Sequence, residues 1–267
     1  GTLDTGSDKD LTVTGDVEIP GGTLTANGSE ITIRSLEITS GGSYSATDNI
    51  AGTIITGRNA DSNRAIQAAN DNITHNDGLF VIKGTSAGNT DIATNWASDD
   101  TYGYYDLEID ASGYTIALNG LLSVYNNLTI TAGTLTTAPG ATDFALTVTG
   151  ATSVTGTLLC NASTISLGSG ITNAFAVVVN SSGTFNGGSG THGSLNVHSS
   201  ATLFAFSSGT TTLNGKSSGL QIFGTSATDR ITAAGTLTID TAQSPVVINC
   251  ADTTGINNLT VNSGTGR

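Results

Sequence analysis

The 267-residue chain has no Met, one Trp, three Pro and two Cys, and only 11% of its residues are charged. Each shortage excludes something. Eight Lys and Arg against 21 Asp and Glu leave a net charge of −13, the wrong sign for gripping phosphates, so no nucleic-acid partner is expected. No run of 18 apolar residues occurs, so no membrane insertion through a helix is expected. An acidic disordered tail would pair high charge with low apolar content, whereas 37% of this chain is hydrophobic. A chain without Met at position 1 predicts that Gly1 follows processing, or that the sequence is a segment of something longer; no signal peptide is visible. Cys160 and Cys250 are too far apart in a stacked fold for an intrachain bridge, leaving two buried thiols or a contact between chains as the alternatives.

Neutral polar residues fill the gap. The chain has 35 Gly, 74 Ser or Thr and 22 Asn. The carboxylates are uneven: 17 of the 21 precede Ala111, and only Asp143, Asp229, Asp240 and Asp252 follow it. Self-similarity organises this composition. Gly-Thr-Leu occurs at Gly1, Gly22, Gly133, Gly156 and Gly235, and Leu-Thr-Val or Leu-Thr-Ile at Leu11, Leu128, Leu146, Leu237 and Leu259. Asn126-Asn-Leu-Thr-Ile-Thr-Ala-Gly-Thr134 matches Asn257-Asn-Leu-Thr-Val-Asn-Ser-Gly-Thr265.

Within each phrase apolar residues alternate with Thr, Ser or Asn, the period of a strand with one buried face. Gly punctuates the strands and supplies the positive φ that tight corners need. Helical spacing occurs only at Asp61 to Asn70, where two turns are predicted. One phrase reused at one spacing favours a stacked coil over a sandwich, whose strands differ in length and partner. The expected fold is therefore all-β: a parallel β-solenoid (β-helix) of roughly ten coils of ~21 residues, with one non-repeating insertion. Coils occupy 1–58 and 105–267 of one continuous domain, and 59–104 is the insertion or lateral projection. Stacked about 4.8 Å apart, such coils make a rod on the order of 50 Å long.

In the phrases Gly-Thr-Leu and Asn-Asn-Leu-Thr-Ile/Val the chain resembles the β-solenoid sequences of secreted filamentous-haemagglutinin-like adhesins and of viral fibres or tailspike stalks. The resemblance implies an extracellular, cell-surface or virion-surface structural element and carries no catalytic residues. Both termini fall inside the repeat. That predicts either a chain trimmed from a longer solenoid or self-association, end to end or laterally.

The most site-like segment runs from Trp96 to Asp110. Trp96, Tyr102, Tyr104, Tyr105 and Asp106 are candidates for contacting a surface glycan, because aromatic faces stack on sugar rings while carboxylates bond hydroxyls. Asp106, Glu108 and Asp110 share one strand face and are the only Ca2+ candidates. A solvated acidic edge is the alternative. A glycosidase pair would need one carboxyl in an apolar pocket, which three acids in a row do not suggest. Gly84-Thr-Ser86-Ala-Gly88 has the nucleophile-elbow spacing without a following helix, and Gly188-Ser-Gly190-Thr-His-Gly193 reads as a turn before a strand. No cofactor and no enzyme activity is expected. The leading expectation is a structural protein that forms or extends a fibre; the alternative is a glycan-binding adhesin or tailspike-like module, with a polysaccharide-degrading β-helix enzyme least favoured.

Overall fold

The computed structural model describes residues 1–6, 9–39, 41–48, 52–68, 70–84, 90–92, 101–140, 142–171, 177–192, 195–197, 203–206, 210–213, 221–224, 231–241, 247–250 and 256–263. Over the described residues the fold is an all-β parallel β-solenoid of about 7 turns. Two compact units divide it: Gly1–Asn127 with Ala132–Leu135, and Leu128–Thr131 with Thr136–Arg267.

In the first unit, alternation in the sequence becomes stacking in space. Leu11–Ile19 lies parallel to Ile31–Ile38, with Leu11 over Ile31, Thr12 over Thr32 and Val13 over Ile33. The same column continues through Thr53–Ile55 and Leu79–Ile82 to Leu107 and Ile109. A second column places Leu3, Leu24, Tyr44 and Ile73 in register. Ile31, Ile33, Leu36, Ile55, Phe80 and Ile109 are buried almost completely. Each such side chain contributes about 1.5–3 kcal/mol relative to an exposed one, and slipping the register by one residue would turn all of them outward. The centre also holds aromatic rings, with Tyr44 and Tyr104 edge-on to Phe80 at 6.2 and 5.4 Å. The Tyr44 hydroxyl bonds Thr53 Oγ1 at 2.6 Å.

The second unit repeats the pattern. Leu128, Thr152, Val177 and Leu195 stack in one column, and Ile130, Val154, Val179 and Val197 in the one beside it. Cys160 is free and buried there. Burial pushes its thiol up to about 12, against the opposing effect of a hydrogen bond involving Thr137. The Thr137 hydroxyl is within bonding distance of Ser163 Oγ at 2.6 Å and donates to the Cys160 carbonyl at 3.1 Å.

Local expectations change at several points. The coil count is about 7 rather than ten, and the circuits are unequal: Leu11 returns at Ile31 after an ordinary circuit, whereas Thr53 returns at Phe80 after a longer one and Val177 at Leu195 after a shorter one. Within 59–104, where the Gly-Thr-Leu phrase is lost, the described residues Ile66, Ile73 and Phe80 take positions in register with Leu36, Tyr44 and Thr53. The helix expected at 61–70 is not formed by its described residues. Helical spacing there came from Ala65 and Ile66, which are buried as coil residues instead, and only one 3-10 turn, Asn70–Asn72, follows. Gly188 to His192 is likewise strand rather than turn. The corner is made by Gly187 and Gly188 at φ 91° and 80°, and Ser189 to His192 then pair with Thr164 to Leu167.

The Gly of the repeat phrase has two distinct causes. Gly133 has φ 79°, which disfavours a side chain. Gly42 has no such φ, but a Cβ there would lie 2.0 Å from the Ile19 carbonyl oxygen of the preceding coil. Coils approach through backbone at that corner, so nothing larger than hydrogen fits. Gly42→Ala is expected to destabilise the fold by about 1–3 kcal/mol, read as a lower midpoint in urea unfolding.

The buried Cys160, Tyr44 and Tyr104 are all pushed upward by burial. An unfolded chain loses these protons at lower pH than the folded one, so stability is retained below the unfolded thiol value and falls as pH rises above about 9. Thermal unfolding at increasing pH should show this decline, and Cys160→Ser should leave the tyrosine part of it in place.

Candidate functional site

A column of corner turns carries the polar side chains of the first unit. Ser29 N–H donates to the Ala26 carbonyl across Asn27, whose φ is 50°. Gly78 N–H donates to the His75 carbonyl across Asn76 and Asp77, at φ 47° and 57°. Two successive positive φ values define a type I′ turn, and Asn and Asp are the residues other than Gly that tolerate them. Between these turns Asp48 N–H donates to the Asn27 carbonyl, and His75 N–H donates to the Thr101 carbonyl.

The turns border an open groove of about 620 Å³ lined by Asn27, Gly28, Asp48, Thr74, His75, Asn76, Asp77 and Thr101. Beside it three rings cluster: His75 and Tyr105 at 5.1 Å, His75 and Tyr125 at 6.2 Å, and Tyr105 and Tyr125 at 5.9 Å. His75 is buried, and its Nδ1 accepts the Asp77 N–H at 3.0 Å. An accepting Nδ1 places the ring proton on Nε2, so the nearby Asp77 carboxylate does not form an ion pair through Nδ1. Tyr125 is exposed. The Tyr105 phenol is pushed above its ordinary range by desolvation first and then by the negative charges of Asp77 and Asp106. The groove thus offers carboxylates, amides and hydroxyls next to half-open aromatic faces. That donor set suits a neutral polyhydroxylated ligand.

Only part of the sequence-based candidate set meets here. Trp96 lies outside the described residues, as do Asp99, Asp100 and the Gly-Thr-Ser-Ala-Gly segment beyond Gly84. Tyr104 cannot touch a glycan: it is completely buried against Phe80, because it occupies an inward position one residue from the outward Tyr105. Tyr102 is half-buried and bridges Thr74. Asp106, Glu108 and Asp110 do share the outward side of the strand Asp106–Leu118, alternating with buried Leu107 and Ile109. Asp106 Oδ1 accepts from Asn126 Nδ2 at 3.0 Å and from Asn127 N–H at 2.8 Å, and Asp110 lies 3.5 Å from Lys83 Nζ. Along a strand such alternate residues stand about 6.6 Å apart at the backbone. Among the described residues no three His, Cys, Asp or Glu side chains are grouped to hold a metal ion.

His75 and Tyr125 carry no motif and escape a reading by residue type. The repeat did contain one signal. Tyr105-Asp106 and Tyr125-Asn126 are 20 residues apart, one coil, which stacks Tyr on Tyr and brings the Asn126 amide to the Asp106 carboxylate. Comparison with protein-family models, curated proteins and solved structures gives no match.

Asp77→Asn removes one of the charges that hold the Tyr105 proton. The Tyr105 phenol should then ionise at lower pH, seen by ultraviolet difference titration against a Tyr105→Phe control.

Proposed function

We propose that the chain is a non-enzymatic structural element that forms or extends a fibre by stacked β-coils, outside the cell or on a virion surface. The observation that supports this is stacking of like on like. Thr12 lies over Thr32 and Glu18 over Glu37, and Gly22-Thr-Leu-Thr25 lies over Gly42-Ser-Tyr-Ser45. Side-chain bonds join the coils on the outer faces: Thr23 Oγ1 to Ser43 Oγ at 2.9 Å, Asn180 Nδ2 to Ser153 Oγ at 2.8 Å, and Asn76 Nδ2 to Ser45 Oγ at 3.0 Å. Such a repeat resists unravelling because each backbone bond is flanked by identical ones, and its edge strands are templates for further coils of the same register. The mechanism is mechanical: stiffness and protease resistance from a continuous ladder. Electron microscopy of concentrated, purified protein should show filaments with a regular axial repeat, and uniform monomers at every concentration would remove this reading.

The groove favours a second reading, a glycan-binding module of the adhesin or tailspike-like kind. Its aromatic faces would be Tyr105 and Tyr125, and its polar contacts Asp77 and Asn76. Tyr125→Ala should abolish binding of any glycan retained on an array by the parent chain, and an array with no retained glycan would count against it.

A further inference from the structure

The second unit carries a feature that neither fibre formation nor the groove uses. Thr147 lies over Ser166, Ser166 over Thr191, Thr191 over Thr212, Thr212 over Thr238 and Thr238 over Thr260. Two residues earlier on the same strands runs a parallel rank, with Thr164 over Ser189 and Thr210 over Thr236 over Asn258. Thr164, Thr210 and Thr260 are exposed, and Thr147, Ser166, Thr212, Thr236 and Thr238 are half-buried. Beneath the grid Leu146, Val148, Ile165 and Leu167 are fully buried and hold the register.

The grid has fixed spacings. Successive strands are about 4.7–4.9 Å apart, and alternate residues on one strand stand about 6.6–6.8 Å apart. Threonine is β-branched with few χ1 rotamers, so hydroxyl and methyl positions are largely set before any ligand arrives. The two ranks contain no charged or aromatic side chain. A phosphate polymer would need cations, and a sugar chain would use stacking faces, so neither fits this surface.

We infer that this grid binds ice. Ice presents a rigid two-dimensional array of hydrogen-bonding oxygens whose repeat distances are close to those of the grid in both directions. Hydroxyls anchor lattice waters while the intervening methyls hold no competing hydration, and the many weak contacts act together because none of the grid has to be ordered on binding. The chemistry of the surface is not imposed by the fold. In the first unit the same kind of outward position carries Glu18 over Glu37, and Asp16 bound by Arg34. The second half of the chain has shed such charges: only four carboxylates follow Ala111. One of them, Asp240, marks the edge of the grid, two residues beyond Thr238 and in register with Asn262.

The test is ice grown in a buffered solution of the purified full chain. The expected result is a concentration-dependent gap between melting and freezing points, faceted crystals, and slowed recrystallisation. Thr212→Lys and Thr238→Lys, which place an ammonium group inside the grid, should lose all three effects, whereas Thr12→Lys on the first unit should retain them. Parent protein with a β-sheet circular dichroism spectrum that neither shapes nor slows ice overturns the inference without any variant. So does a Thr212→Lys protein as active as the parent, or a grid that proves to join two copies, with Thr212→Lys dissociating a dimer and ice growth unaffected.

Discussion

Everything in this protein depends on the parallel backbone ladder between successive coils. Each strand can pair with the next only if the chain returns to the same place after one circuit, and the register of that return decides which side chains share a column. Leu11 over Ile31 and Leu107 over Phe80 are consequences of one geometry. Because the ladder brings backbone against backbone at corners, it also dictates where side chains are forbidden, as at Gly42 beneath the Ile19 carbonyl. The hydrophobic columns stabilise the fold, and the ladder gives it direction.

The surfaces that could serve a function follow from what the ladder repeats. On an unbroken stretch it multiplies one residue type along a face, which yields the hydroxyl ranks of the second unit. Where the circuit lengthens, as between Thr53 and Phe80, exposed corner residues such as Asn76 and Asp77 stand out and dissimilar side chains meet. The groove of the first unit is made of those departures. A stacked coil therefore offers two kinds of surface: periodic where the phrase is kept, and locally specific where it is lost.

The fold class was legible because strand alternation nested inside a coil-length repeat leaves few alternatives, and because Gly, Ser, Thr and Asn fit turns and ladders. The acidic face of Asp106, Glu108 and Asp110 was legible for the same reason, since alternation places them outward. Tyr104 and Tyr105 show the limit. They are adjacent and identical, and only the phase of the strand sends one into the core against Phe80 and the other toward His75. His75 sat in a stretch without the phrase, where composition suggested an insertion, so nothing local tied it to Tyr125 much later in the chain.

The sequence by itself determined that this chain stacks: regular alternation and recurrent Gly leave a parallel coil as the way to bury its Leu, Ile and Val while pairing its backbone. Only the tertiary structure decided which residues became neighbours. Unequal circuits, short from Val177 to Leu195 and long from Thr53 to Phe80, shift each column by amounts that no phrase encodes. Contacts between distant residues, such as Asp106 with Asn126 or Asn76 with Ala46, exist because of where each circuit closes.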